Sequence, residues 1–218
     1  MSTIAIIDYG MGNLHSAAKA VARAVENAKV IITSNPVEIK KADRVVFPGV
    51  GAMRDCMGGL HQQDLIDVIH QVSKEKPFLA VCVGMQALMD RSEENDGVEC
   101  LHFFDGNVKF FGKYFPEDSI SEKLKIPHMG WNQVNQTIKH PLWNGIEDNS
   151  RFYFVHSYFV DIENKNLIAG STNYGVDFAA SIAKENIFAV QFHPEKSHKA
   201  GLTLLANFAR WNGDNRVC

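Results

Sequence analysis

The sequence of 218 residues predicts an α/β fold, with a mostly parallel central sheet flanked by helices. Short apolar runs alternate with amphipathic helical patterns in the first half, as expected for a parallel sheet covered on both faces. The runs have the length of buried strands rather than of buried helices. Strand patterns are more frequent in the second half, which ends in an amphipathic helix.

The first half contains four predicted strands separated by helices. The strands are expected at "TIAIID" (3–8), "KVIITS" (29–34), "ADRVVFPGVGA" (42–52) and "FLAV" (78–81), and the helices at 14–28, 52–60 and 64–74. A further helix is expected after Cys82, because Met85, Leu88 and Met89 share one helical face. Sites gather at the carboxyl ends of the strands in such sheets, so the residues that follow them are the candidates.

The second half contains six further strand patterns and the last helix. The strands are expected at "VKFF" (108–111), "WNQVNQ" (131–136), "RFYFVHSYFV" (151–160), "LIAGST" (167–172), "FAASIA" (178–183) and "IFAVQF" (187–192), and the helix at 198–213. "PHMGWN" (127–132) is an unusual cluster, for which a packed loop with a core Trp is the alternative to a functional role. His156 is expected to be structural, and the sequence predicts surface or helix-face positions for His61, His70, His140 and His198.

Composition places the chain among ordinary globular proteins. Hydrophobic residues make up 45% and charged residues 22%, and the net charge of -3 gives no sign of binding nucleic acid or a membrane. No secretory signal, internal repeat or linker is recognised, and no apolar run approaches the roughly 20 residues that span a bilayer. We expect one domain over residues 1–218. The spacing of Cys56, Cys82, Cys100 and Cys218 fits neither a zinc site nor a disulfide framework, which favours reduced thiols in the cytoplasm.

Cys82 lies where the fourth strand pattern meets the helical pattern. Its neighbours at Ala80 and Gly84 are small, as a sharp strand-to-helix turn requires, and such an elbow exposes a nucleophile at the end of a sheet. A helix N-terminus beside the thiol would favour thiolate. The alternative is a small buried cysteine in a core strand.

Two other turns carry residues for the same chemistry. "VQFHPEKS" (190–197) follows a strand and offers His193 as a base and Glu195 to orient it, as a cysteine nucleophile requires. A solvated surface turn is the alternative. "FPGVGA" (47–52) is a glycine turn that can direct backbone N–H groups at an anion, although two glycines in a loop are common. Neither the dinucleotide motif nor the phosphate loop is present.

Taken together, these motifs resemble the class I glutamine amidotransferases, almost from end to end. Within this class the chain is similar to the glutaminase subunits of imidazole glycerol phosphate synthase. The class motifs are "PGVG" (48–51), "VCVGMQ" (81–86) and "FHPE" (192–195), and the subunit motifs are "DYGMGNL" (8–14), "RSEEN" (91–95), "PHMGWN" (127–132), "FYFVHSY" (152–158) and "QFHPEKS" (191–197). The resemblance implies a flavodoxin-like fold with additional antiparallel strands.

The resemblance also implies a mechanism. Cys82 attacks the side-chain amide of L-glutamine, His193 is the general base and acid, and Glu195 orients the histidine. The glutamyl thioester is then hydrolysed. The oxyanion would be held by the N–H of Val83 and by one from the turn of Gly49, Val50 and Gly51, where a peptide is expected to flip before its N–H points inward.

Further residues match positions of the family that contact substrate and partner. Gln86 and Glu94, with the backbone of Ser157 and Tyr158, match the glutamine contacts. The ammonia would pass to a (β/α)8-barrel cyclase in a heterodimer, which forms imidazole glycerol phosphate and aminoimidazole carboxamide ribotide in histidine biosynthesis. Asn13, Trp131 and Tyr153 match that interface. No cofactor or metal is implied.

The sequence departs from the family at a few positions. Ala80 stands in place of a usual glycine in the elbow, Val83 in place of a commoner leucine, and His198 in place of a frequent glutamine. All three triad positions are occupied. Three alternatives remain: a related glutaminase that feeds ammonia to a sugar amidotransferase of surface polysaccharide synthesis, a stand-alone cysteine hydrolase, and a scaffold without activity.

Overall fold

The computed structural model describes residues 2–25, 28–115 and 124–214. Cys218 and residues 26 and 27 of the predicted first helix lie outside this part. The strands are β1 (Ser2–Ile7), β2 (Ala28–Thr33), β3 (Arg44–Gly49), β4 (Phe78–Cys82), β5 (Arg91–Ser92), β6 (Val98–Glu99), β7 (Gly106–Phe110), β8 (His128–Gln133), β9 (Asn135–Gln136), β10 (Arg151–His156), β11 (Tyr158–Ile162), β12 (Ile168–Asn173), β13 (Asp177–Lys184) and β14 (Ile187–Val190).

The central sheet has eight strands in the order β2-β1-β3-β4-β14-β13-β12-β9. Its pairs from β2 to β14 are parallel, and those from β14 to β9 are antiparallel. The expected α/β fold with a mostly parallel sheet and additional antiparallel strands is therefore confirmed. The carboxyl ends of β3, β4 and β14 lie side by side, so residues that follow these three strands meet at one edge of the sheet.

Helices cover both faces of this sheet. They are α1 (Leu14–Ala24), α2 (Pro36–Lys41), α3 (Met53–Gln62), α4 (Ile66–Glu75), α5 (Val83–Gln86) and α6 (His198–Arg210). Helix α1 packs against α6, and α2 packs against α4. The connections from β1 to β2 and from β3 to β4 run in opposite directions along the sheet, and right-handed crossovers therefore place their helices on opposite faces.

The remaining strands form two smaller sheets beside the central one. One has the order β11-β7-β5-β6, and the other is the antiparallel pair of β8 and β10. Phe111, which is fully buried, joins the first of them to the central sheet through ring contacts with Phe159 of β11 at 4.8 Å and with Phe178 of β13 at 5.4 Å. Val155 of β10 and Tyr158 of β11 line one cavity with Cys82, so the small sheets lie next to the edge where β3, β4 and β14 end.

Some predicted elements differ from the structure. The first helix ends at Ala24 rather than Ala28, which begins β2 instead. The predicted strand at 151–160 is two strands that meet at Ser157 and pair in different sheets. Helix α2 was not predicted; the side chain of Asn35 caps it and Pro36 begins it, but its six residues are too few for a clear helical period.

The helix expected after Cys82 is much shorter than its pattern indicates. Helix α5 has only four residues, because the carbonyls of Ala87, Leu88 and Met89 accept hydrogen bonds from the following loop instead of continuing the helix. The side chains of Met85, Leu88 and Met89 are all fully buried. Their apolar pattern therefore indicates burial and not a long helix. A helix of four residues offers the thiol of Cys82 a smaller N-terminal dipole than the longer predicted helix would.

One alternative and one prediction about burial do not hold. Trp131 lies on strand β8 and is 42% exposed, because alternate side chains on this strand, those of Met129 and Trp131, face outward. His140 was expected at the surface and is buried, where its Nδ1 accepts the N–H of Leu142 and caps a short 3₁₀ helix. Within the described ranges no helix is long and apolar enough to cross a membrane.

Candidate active site

Cys82 is the last residue of β4 and has a strained backbone. Its φ of 55° and ψ of -113° lie in a region that residues with a side chain rarely adopt. The turn into α5 packs directly on the neighbouring strand, since a Cβ on Gly84 would lie 2.3 Å from the carbonyl oxygen of Phe47. Only glycine fits at that point. The chain therefore turns sharply at the cysteine, as in a nucleophile elbow.

His193 and Glu195 follow β14 and form a buried hydrogen-bonded pair. The distance from His193 Nδ1 to Glu195 Oε1 is 2.8 Å, and the N–H of His193 donates to the carbonyl of Tyr153. Because a carboxylate only accepts, Nδ1 carries the proton, and Nε2 is left as the reactive nitrogen. Nε2 is buried and forms no hydrogen bond of good geometry with any residue of the described part.

The electrostatics of this pair favour a charged imidazole. Burial opposes the charge on His193, but the nearby sulfur of Cys82, when ionised, and the carboxylate of Glu195 outweigh it and raise the pKa of His193 above its ordinary value. Cys82 and His193 line the same cavity of about 500 Å³. The arrangement is suited to a thiolate beside an imidazolium, which is the form in which a cysteine attacks an amide.

The glycine turn of the third strand lies beside the elbow. Gly49 is in register with Cys82, and a Cβ on Gly49 would lie 2.6 Å from the backbone nitrogen of Gly84. The hydroxyl of Tyr9 donates to the carbonyl of Pro48 at 2.8 Å and fixes the start of the turn. Val50 and Gly51 line the cavity with Cys82 and Val83, while Gly49 and Glu195 line a small adjoining cavity.

The expected substrate contacts line the same cavity. The side-chain Nε2 of Gln86 donates to the carbonyl of Tyr158 at 2.9 Å, which leaves its Oε1 as the atom available to a ligand. Glu94 accepts the N–H of Met53, the first residue of α3, at 2.7 Å. Ser157, between β10 and β11, completes this wall. Glu94 thus connects this wall of the cavity to the helix that follows the glycine turn.

His156 lines the cavity, and the buried side chains of His128 and Gln191, to which the sequence assigned no role, lie beside it. His156 donates through Nδ1 to the carbonyl of Tyr158 at 2.7 Å, and its Nε2 lies 2.9 Å from Nδ1 of His128. Burial lowers the pKa of His128 to about 4 and that of His156 to about 3. The structural role expected of His156 agrees with these contacts. Gln191 contacts both Gln86 and Cys82.

Of the three residues expected at a partner interface, one lines the cavity and two lie outside it. Asn13 lines the cavity and accepts the N–H of Ser16 at the start of α1. Trp131 and Tyr153 lie outside it on the paired strands β8 and β10, and the Trp131 ring stacks on His198 at 4.9 Å. No group of three potential metal ligands occurs in the part of the chain that the structure describes.

A strained cysteine at a strand end, next to a buried histidine–glutamate pair, has the form of a cysteine-dependent amide hydrolase of the α/β type. The family model described as "Glutamine amidotransferase class-I" matches residues 5–211. The chain therefore belongs to the class-I glutamine amidotransferase family.

Individual relatives agree with this membership. The chain is 56% identical to the imidazole glycerol phosphate synthase subunit HisH 1 of Pseudomonas aeruginosa and to the subunit HisH of Pseudomonas syringae, in each case over 98% of this chain and 99% of the relative. The solved structure of PurLQS from Thermotoga maritima superposes with a TM-score of 0.70 at 14% identity, over 96% of this chain and 98% of that one, and supports the fold alone.

Proposed function

We propose that the chain is the glutaminase subunit of an imidazole glycerol phosphate synthase and forms a single domain over residues 1–218. It hydrolyses L-glutamine to glutamate and ammonia and delivers the ammonia to a partner subunit. The observation that carries the proposal is the buried cluster of Cys82, His193 and Glu195 in a chain that matches HisH relatives over its whole length.

The first half of the reaction forms a thioester. The thiolate of Cys82 attacks the side-chain carbonyl carbon of glutamine, and the carbonyl oxygen becomes an oxyanion. The N–H of Val83 and one N–H from the turn of Gly49, Val50 and Gly51 stabilise this charge. The C–N bond then breaks, and the leaving nitrogen takes a proton from Nε2 of His193 and departs as ammonia.

The second half restores the enzyme. His193, now neutral, takes a proton from a water molecule, and the resulting hydroxide attacks the thioester carbon. The C–S bond breaks, glutamate leaves, and the thiolate of Cys82 is paired again with protonated His193. Glu195 keeps the proton on Nδ1 throughout, because its carboxylate oxygen lies 2.8 Å from that nitrogen.

The glutamine backbone is held at the opposite wall of the cavity. The α-ammonium group is positively charged, and the carboxylate of Glu94 and the Oε1 of Gln86 offer it negative partners. Backbone groups of Ser157 and Tyr158 complete the contacts. Glu94 also accepts the N–H of Met53, which follows the glycine turn and Ala52. A glutamine ammonium group that competes for the Glu94 carboxylate acts on this hydrogen bond, which supports a link between glutamine binding and the glycine turn.

The partner in this proposal is a (β/α)8-barrel cyclase, and the two chains form a heterodimer in the cytoplasm. The relatives are named as subunits, which supports a complex. Asn13, Trp131 and Tyr153 would form part of the interface, and the exposed ring of Trp131 supports this placement. The names of the relatives favour this partner over the sugar amidotransferase of surface polysaccharide synthesis.

The proposal is tested by measuring glutamate release from glutamine with and without the cyclase and its nucleotide substrate. Wild type is expected to turn over substantially faster with the cyclase, and Cys82→Ser is expected to be inactive in both conditions. Cys100→Ser is the matched control, because that cysteine is buried outside the cavity. Glutamate release by Cys82→Ser would refute the assignment of Cys82 as the nucleophile. Glutamate release at the same rate with and without the cyclase would refute the assignment of the cyclase as the partner.

A further inference from the structure

Gln191 is a buried polar residue that the mechanism above does not use. It follows β14, is fully buried, and its backbone N–H donates to the carbonyl of Ala180 at 2.8 Å. Its side-chain Nε2 lies 3.7 Å from the sulfur of Cys82, within hydrogen-bond distance for sulfur. Its Oε1 lies 2.9 Å from Nε2 of Gln86. Both ends of the amide are therefore engaged in the site.

The contacts fix which end of this amide faces the sulfur. The carbonyl of Tyr158 can only accept, so the group of Gln86 that faces it must be the NH₂ group. The same NH₂ group lies against the side chain of Gln191, so the atom it meets there must be an oxygen. The other end of Gln191, which faces Cys82, is consequently its NH₂ group. The backbone carbonyl of Tyr158, which can only accept, thus determines which end of the Gln86 amide and which end of the Gln191 amide is the donor.

We propose that Gln191 is a catalytic residue of the glutaminase reaction, whose amide N–H group donates to the sulfur of Cys82 and stabilises its thiolate form. This inference rests on the proposed function. An NH₂ group offers no acceptor to a thiol proton, and a hydrogen bond to an ionised acceptor is stronger than one to a neutral acceptor. The contact therefore favours the thiolate over the thiol. It acts in a buried setting, where such bonds are strengthened.

The same side chain connects the nucleophile to substrate recognition. Gln191 accepts from Gln86, and this contact holds the Gln86 amide with its oxygen toward the cavity. Replacing Gln191 by glutamate keeps this acceptor but places an oxygen in front of the sulfur. Replacing it by methionine, of similar length, removes both contacts. The two variants separate an effect on the nucleophile from an effect on substrate binding.

The test is the rate at which iodoacetamide alkylates Cys82 as a function of pH, followed by mass spectrometry of the Cys82 peptide. This readout needs neither glutamine nor a partner. Burial raises the pKa of the thiols of Cys56 and Cys100 to about 12, so they contribute little near neutral pH. The control is Gln71→Met, because that glutamine is exposed on α4 and its side chain donates to Glu75 on the same helix.

In Q191E and Q191M the pH of half-maximal alkylation is expected to rise by on the order of one unit relative to Q71M. With the cyclase present, kcat for glutamine should fall roughly tenfold in both, while KM rises in Q191M only. Thermal unfolding of each variant shows whether it is folded. If Q191M does not fold, the test rests on the isosteric variant Q191E. An alkylation profile unchanged in folded Q191E would overturn the inference. A shifted profile in a protein whose wild type never hydrolyses glutamine would support the contact and refute the proposed function instead.

Discussion

The buried pair of His128 and His156 makes a quantitative prediction about acid stability. Burial lowers both pKa values from 6.5, to about 4 and about 3 respectively. The unfolded chain therefore binds more protons than the folded chain below the ordinary histidine pKa. The stability that these two groups contribute is fully present above pH 6.5 and is lost as the pH falls below that value.

The magnitude follows from the two pKa values. At a pH of about 5, an unfolded histidine is mostly protonated, whereas each of these two remains mostly neutral in the folded protein. This difference in protonation between the unfolded and folded chain costs about 2 kcal/mol of folding free energy for each histidine. The raised pKa of His193 has the opposite sign, so its contribution falls as the pH rises and does not account for a loss in acid.

The assay is urea denaturation of wild type, His128→Asn and His61→Asn at a pH of about 7.5 and of about 5. Asparagine at 128 retains a donor in the place of Nδ1, which bonds His156, but does not titrate. We expect the loss of unfolding free energy in acid to be about 2 kcal/mol smaller in H128N than in wild type. The exposed His61 on α3 serves as the control and should leave the loss unchanged. Equal losses in H128N and wild type would refute the reasoning.

Three further predictions concern the elbow, the triad and the outer face. Gly84→Ala puts a Cβ 2.3 Å from a backbone oxygen and should destabilise the fold by about 3 kcal/mol in urea denaturation; an unchanged midpoint would contradict this. Glu195→Gln should lower the pKa of His193 and reduce glutamine turnover with the cyclase roughly a hundredfold, whereas an unaltered rate would exclude the orienting role. Trp131→Ala should leave the unfolding free energy within about 0.5 kcal/mol of wild type but weaken cyclase binding roughly tenfold by calorimetry, and equal affinity would argue against the interface.

The parts of the fold that could be predicted are those in which local sequence and burial agree. Strand β4 is apolar throughout and fully surrounded by neighbours, and its five residues are all buried. The turns that follow β3, β4 and β14 carry glycine, cysteine and histidine at the ends of apolar runs. Because parallel strands bring their carboxyl ends to one edge, the meeting of Cys82 and His193 in one cavity was predictable from their positions just after strand patterns.

Other parts depend on contacts between distant segments. The length of α5 is set by hydrogen bonds from residues 101–103, which no pattern within the helix reveals. The exposure of Trp131 depends on the pairing of β8 with β10, since that pairing decides which alternate residues face outward. The burial of His140 likewise follows from packing against Phe188 and Trp211, far along the chain.

The role of Gln191 was also hidden in the sequence, although it left a signal. It stands between apolar residues in "IFAVQF", at a position where a buried polar side chain must find partners. Its partners, Gln86 and Cys82, are more than a hundred positions away in the chain, at separations of 105 and 109. A polar residue within a buried strand pattern is therefore a useful indicator of a site, even when its partners are unknown.

The placement of β14 next to β4 also has a consequence during protein synthesis. Gln191, which directly follows β14, is synthesised 109 residues after Cys82, and His193 comes two residues later. Pairing of strands so distant in sequence is slow and late in folding. The nascent chain therefore carries Cys82 before the histidine proposed as its base has been made, and the cavity that both residues line is complete only when β14 is inserted into the sheet.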